Sequence, residues 1–240
     1  MIFINKINVN LEIDMTEQTT QLTNLDPRIV EFQDHIRAKY QSENQNVKKG
    51  QIVFVGSSLM EIFPIEKMQQ EQALGLKKII YNRGVRATTT ADLLAHLDTL
   101  IFDLEPSKIF LNIGSNDIGF NVPENVYLAN YAKILTAIQT RLPQAEVFLM
   151  AYYPINTVDD FGEERKEHQK FYEHRSNALL EHANAQVKIL AQQFDYQYIN
   201  VNAGLTDATG NLKKAFTFDG AHMLPVGYQV VLENMRKYLD

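Results

Sequence analysis

The chain has 240 residues, 45% of them hydrophobic, a formal net charge of -6 and no cysteine. That length and apolar content suit one α/β domain with a substantial core. The acidic balance weighs against nucleic acid or an anionic membrane as the main partner, and the lack of cysteine excludes disulfides, thiolate nucleophiles and cysteine metal sites.

No apolar run approaches the ~20 residues that would span a bilayer. The opening MIFINKINVNLEIDM interrupts its apolar positions with Asn, Lys, Glu and Asp, unlike a secretory signal. A cytoplasmic location is therefore expected. Met15 is a second candidate start, and the polar TEQTTQLTN follows it. Residues 1–25 are expected to form an N-terminal extension ahead of a single domain over 26–240.

Asp26 and Pro27 supply an N-cap and a first-turn proline for an amphipathic helix through about Glu43. A first strand is expected over Gln51–Val55, running into Gly56-Ser57-Ser58 and then a helical stretch to about Gln72. Lys77–Asn82 reads as a second strand ending at Arg83-Gly84, and Thr88–Thr90 as the start of a helix through Leu104. A third strand, Lys108–Ile113, runs into Gly114-Ser115-Asn116-Asp117. Pro123 opens a helix to Arg141, and Ala145–Ala151 is a fourth strand followed by Tyr152-Tyr153-Pro154. One long charged helix is expected from about Asp160 to Phe194, then a fifth strand, Tyr196–Val201, and a last helix from about Pro225 to Leu239. Alternating helices and near-continuous apolar strands predict a parallel sheet covered on both faces.

In such sheets the ligand crevice lies beyond the carboxyl ends of the strands. Those ends carry Gly56, Ser57 and Ser58, then Gly84, then Asn116 and Asp117, and finally, past a loop, Asp219 and His222. A serine hydroxyl needs a base to become a nucleophile, and a histidine base works best with a carboxylate holding its tautomer. Of the six histidines, His222 alone has an acidic residue three positions earlier, Asp219. The backbone N–H groups of Ser58 and Gly84 and the side-chain amide of Asn116 are candidate donors to an oxyanion. Each element also has a plain structural reading: serines cap helices, Gly84 serves a turn, Asn116-Asp117 form an Asx turn, and Asp219 with His222 cap a helix.

Taken together, VFVGSSL, NRGV, NIGSND and DGAHMLPVGY resemble, in order, the four blocks of the SGNH hydrolases, the GDSL esterase/lipase family. The resemblance covers about Gln51 to Tyr228 and is nearest to bacterial proteins like the catalytic subunits of platelet-activating factor acetylhydrolase. It implies a flavodoxin-like three-layer α/β/α sandwich with a five-stranded parallel sheet, and no metal or organic cofactor. It also implies Ser58 as nucleophile, Asp219 and His222 completing a triad, and Ser58, Gly84 and Asn116 as the oxyanion hole. Ser57 stands where the family usually has aspartate.

The implied activity is hydrolysis of small-molecule or lipid-like carboxylic esters through an acyl-enzyme. A carbohydrate O-acetylesterase, a thioesterase and a non-catalytic flavodoxin-like binding module are the alternatives. The α/β-hydrolase elbow G-x-S-x-G is absent because Met60 occupies its last position, and no phosphate-binding glycine fingerprint occurs. The segment GEERKEHQKFYEHR, with His168 and His174, lacks metal-binding spacing and reads as a solvated helix face. His35, His96 and His182 read as structural. Arg83 and Arg86 are candidates for surface ion pairs or, alternatively, contacts to an anionic substrate group. Tyr152-Tyr153-Pro154 is a candidate wall of the acyl pocket.

Overall fold

The structure is a computed structural model that describes residues 25–163 and 173–240. The expected extension therefore lies almost wholly outside the described residues, as do His168 and most of GEERKEHQKFYEHR.

Helix α1, Pro27–Glu43, begins where its sequence signals place it, with the Asp26 carboxylate accepting from Arg28 N–H at 2.9 Å. Strand β1, Ile52–Gly56, leads into a single turn of helix, α2, Ser58–Glu61. The stretch expected to stay helical to Gln72 breaks after α2 and restarts as α3, Ile65–Glu71, with Pro64 at its N-cap. Strand β2, Ile80–Gly84, starts and ends later than the apolar run suggested, because Gly84 pairs with Gly56.

The helix expected over 88–104 is divided into α4, Thr90–Ala95, and α5, Leu97–Leu100. The break falls at His96, whose backbone leaves helical geometry at φ -125° while its Nδ1 stays hydrogen-bonded to Asp92 O. Strand β3, Lys108–Asn112, is followed by an unexpected short helix, α6, Ser115–Gly119, entered through Gly114 at φ +115°. Helix α7, Glu124–Arg141, and strand β4, Glu146–Met150, match their signals.

The single helix expected from Asp160 to Phe194 is corrected. Residues 173–176 are not helical, and α8 spans Asn177–Gln193, capped by Ser176 Oγ, which accepts from Leu179 N–H at 3.2 Å. Charge periodicity runs straight through this cap, and the start signal lies in Ser176-Asn177. Strand β5, Gln197–Ile199, and helix α9, Pro225–Met235, complete the fold.

All pairings are parallel, in the order β2-β1-β3-β4-β5. Alternate residues of each strand enter two cores. Val53, Val55, Ile109 and Leu111 join Leu93, Tyr131, Ile134 and Val187 on one face. Ile52, Phe54, Phe110 and Phe148 join Met60, Phe63, Tyr228 and Val231 on the other. Burial on both faces explains why the strands read as unbroken apolar runs. The result is a flavodoxin-like α/β/α sandwich. Its strand order reverses at β1, with β2 on one side and β3 on the other, so the crevice favoured for ligands opens beyond the ends of β1 and β3.

Candidate active site

Gly56 closes β1 because a side chain there would collide with Asn112 O, at 2.2 Å, and with Met60. That close approach sets Ser57 and Ser58 at the crevice. Ser57 is 2% exposed, makes no side-chain capping bond, and accepts from Met60 N–H and Glu61 N–H through its carbonyl. Ser58 is less buried, and its Oγ lies 2.8 Å from His222 Nε2.

His222 arrives on the loop ahead of α9. Its Nδ1 lies 2.6 Å from Asp219 Oδ2, and Asp219 is fully buried. Asp219 Oδ1 accepts from Ala221 N–H at 2.9 Å and His222 N–H at 2.8 Å, which fixes the carboxylate on its own turn. Thr217 Oγ1 donates to His222 O and accepts from Gly220 N–H, bracing the loop from the other end. An Nδ1–H donated to Asp219 leaves Nε2 as an acceptor facing the Ser58 hydroxyl. The Phe218 ring stacks on the His222 imidazole, 5.8 Å between centroids and 12° from parallel, and Phe218 is 39% exposed.

The oxyanion side differs from expectation at Gly84. Its N–H donates to Asn82 Oδ1 at 2.9 Å and its carbonyl accepts from Tyr40 Oη at 2.9 Å. A Cβ at 84 would meet Glu61 N at 2.2 Å, so glycine is required there for α2 to lie against β2. Asn82 completes this join by donating to Met60 O and Phe63 O. The geometry thus gives Gly84 a packing role and engages the N–H that was expected to face substrate.

The following turn offers another donor. Val85 N–H goes to Gly56 O, Arg86 N–H to Glu61 Oε2 and Thr88 N–H to Val85 O. Ala87, at φ +57°, donates its N–H to no group among the described residues, and the same holds for Ser58 N–H. Nothing in the amino-acid type marks Ala87, since alanine seldom adopts this backbone region.

Asn116 is 5% exposed and joins this turn directly, its Nδ2 donating to Thr88 O at 2.9 Å. Its Oδ1 accepts from Arg175 Nη2 at 2.6 Å. Asp117 points inward instead and accepts from Thr90 N–H and Thr90 Oγ1, at the start of α4. Burial raises its pKa to about 7, against the lowering effect of the Thr90 bonds.

Other candidates fall away from the crevice. Arg83 pairs with Glu43 at 3.5 Å and lies over the Tyr40 ring, while Arg86 pairs with Glu61. His182 pairs with Glu124, and His35 is exposed on α1. Tyr152 and Tyr153 are buried, and Tyr152 Oη donates to Ile113 O beneath Gly114, so they support β3 and β4. Tyr152 and Pro154 instead border a separate cavity of about 450 Å³ beyond β4 and β5, shared with Asn177, Asn184, Asn200 and Asn202. Among the described residues no group of three or more His, Asp or Glu is arranged to hold a metal ion, and no helix is long and apolar enough to cross a membrane.

A family model for GDSL-like lipase/acylhydrolase proteins matches residues 66–230, which include Gly84, Asn116, Asp219 and His222 but begin after Ser58. A structure from Streptococcus pneumonia, named for platelet activating factor, is 32% identical with a TM-score of 0.78, covering 95% of this chain and 99% of that one. A GDSL-like lipase from Bacteroides thetaiotaomicron, at 17% identity and TM-score 0.67, covers 85% of this chain and 96% of its own. A catalytic mutant of an acetylxylan esterase from Geobacillus stearothermophilus has the same fold at 15% identity and TM-score 0.55, over 80% of this chain and 96% of its own. No curated protein matches the chain. With about two thirds of its length matched by the family model and near-complete coverage of a 32% identical structure, the chain is a hydrolase belonging to the GDSL-like lipase/acylhydrolase family.

Proposed function

We propose that the chain is a serine esterase that cleaves carboxylic esters of small or lipid-like substrates through an acyl-enzyme on Ser58. The observation that carries this reading is the continuous line from Ser58 Oγ through His222 to buried Asp219, at 2.8 Å and 2.6 Å. His222 Nε2 takes the hydroxyl proton as Ser58 attacks the acyl carbon, and Asp219 stabilises the imidazolium that forms. His222 then protonates the leaving alcohol and afterwards activates the water that releases the acyl group.

The tetrahedral intermediate needs donors aimed at its oxyanion. Ser58 N–H and Asn116 Nδ2 keep the roles expected of them, and Ala87 N–H takes the one expected of Gly84. Support for this exchange comes from the hydrogen bond engaging Gly84 N–H and from the unengaged N–H of Ala87, one residue before the carbonyl that Asn116 holds. The exposed Phe218 ring beside His222 gives the leaving group an apolar neighbour. Under this reading residues 26–240 act as one cofactor-independent domain on a small-molecule ester in the cytoplasm, with no nucleic-acid partner.

Hydrolysis of p-nitrophenyl acetate and butyrate by wild type, Ser58→Ala and Ser57→Ala tests the assignment. Ser58→Ala should lose roughly 10⁶-fold in kcat, as loss of a triad nucleophile does, while Ser57→Ala stays within about threefold. Loss in Ser57→Ala alone would move the nucleophile, and an inactive wild type on a wider panel including thioesters and acetylated sugars would favour a binding module.

A further inference from the structure

We propose that Arg175 is a positioning residue that fixes and polarises the oxyanion amide of Asn116. This inference rests on the reading of Asn116 as an oxyanion donor. Arg175 stands immediately before Ser176, the N-cap of α8, and is 59 residues away from Asn116 in sequence. It is brought there only by the fold.

The argument begins with the chemistry of a carboxamide. Its two ends are nearly the same size, so packing alone does not decide which end faces a ligand. In this site the two neighbours are not interchangeable. Arg175 Nη2, which can only donate, lies 2.6 Å from Oδ1, and the Thr88 carbonyl, which can only accept, lies 2.9 Å from Nδ2. Reversing the amide would set donor against donor and acceptor against acceptor at once. With Oδ1 and one N–H held, the second N–H of Nδ2 is the group left for the oxyanion.

The guanidinium also draws electron density toward Oδ1, which strengthens the N–H donors on the same conjugated amide. A cation held next to the donor further favours the negative charge that develops only as the ester is attacked. Both effects act on the transition state more than on the bound ester. They predict a loss in kcat rather than in substrate affinity. The guanidinium is held by the protein's own amide, which distinguishes this role from contact with a charged substrate.

The test is a double-mutant cycle on p-nitrophenyl acetate, a neutral ester, with Arg175→Ala, Asn116→Ala and the double variant. Arg175→Lys and Arg175→Gln are measured beside them, and thermal unfolding of each variant checks folding. Asn116→Ala should lower kcat by about 10²- to 10³-fold, as loss of an oxyanion donor does. Arg175→Ala should lower kcat by roughly tenfold with KM within about twofold, since it disturbs the donor without removing it. The double variant should match Asn116→Ala, because Arg175 has nothing left to position. Arg175→Lys should recover most of the kcat and Arg175→Gln, which donates without charge, an intermediate part. If Arg175→Ala does not fold, the Lys and Gln variants carry the same comparison.

Unchanged kcat in Arg175→Ala, a change confined to KM, or additive losses in the double variant would each overturn the proposal. Those results leave the Asn116 reading standing. Unchanged kcat in Asn116→Ala would instead remove the donor reading itself, and the role of Arg175 with it.

Discussion

The two halves of the candidate site are built in different ways. On one side, Ser58, His222 and Asp219 form a line of side chains, each holding the next through a hydrogen bond of 2.8 Å or 2.6 Å. On the other side, two of the proposed donors are backbone N–H groups, and the third is an amide whose direction depends on Arg175 and Thr88. Side-chain chemistry is written in residue type. Backbone donors belong to every residue except proline, so which of them faces substrate depends on the path of the chain. In the first half, the side chains expected to act together lie within hydrogen-bond distance of one another. In the second, the expected donor Gly84 has its N–H engaged by Asn82, and the donor proposed in its place is Ala87, one turn further on.

That contrast can be broken on the relay side first. Asp219→Asn should lower kcat on p-nitrophenyl acetate by roughly 10⁴-fold, because an amide in place of the carboxylate upsets the imidazole tautomer. A loss below tenfold would mean that His222 is oriented by something other than Asp219. The donor side is tested by replacing single amides with esters through incorporation of α-hydroxy acids. Lactic acid in place of Ala87 should cost about 10²- to 10³-fold in kcat, whereas glycolic acid in place of Gly84 should leave kcat near wild type and lower stability by about 1 kcal/mol. The reverse result would restore Gly84 to the oxyanion and leave Ala87 a turn residue.

The last effect, on stability rather than on rate, concerns Asp117, the residue after Asn116. Its folded pKa is raised from 3.8 to about 7 by burial. Between those values the folded chain keeps a proton that the unfolded chain has released. This contribution to stability is therefore full below about pH 4, falls as pH rises, and levels off above about pH 7. Asp117→Asn should flatten the difference in melting temperature across that window. An unchanged slope in the variant would show that Asp117 is not the group responsible, and would loosen its link to Thr90 and α4.

Much of the fold could be read from the sequence because its signals are local. Asp26-Pro27 start α1, and the apolar runs at Ile52, Lys108 and Glu146 become strands within a residue or two. Sequence and structure part where one periodic pattern continues across a break. Pro64, His96 and Ser176 each ended or restarted a helix inside a stretch whose amphipathic spacing looked unbroken. The short helix α6 had too few residues to show any period.

By itself, then, the sequence determined the layered α/β class, the order of the chemistry-bearing blocks, and the pairing of Asp219 with His222, since three residues on one turn can satisfy each other locally. Only the tertiary structure decided that the Ser58 hydroxyl lies against His222 across 164 residues, that Gly84 is needed for packing α2, and that Arg175 reaches Asn116. Those outcomes depend on strand order, on the approach of one backbone to another and on which face of a turn is left open. These are relations between distant segments that no window of neighbouring residues contains.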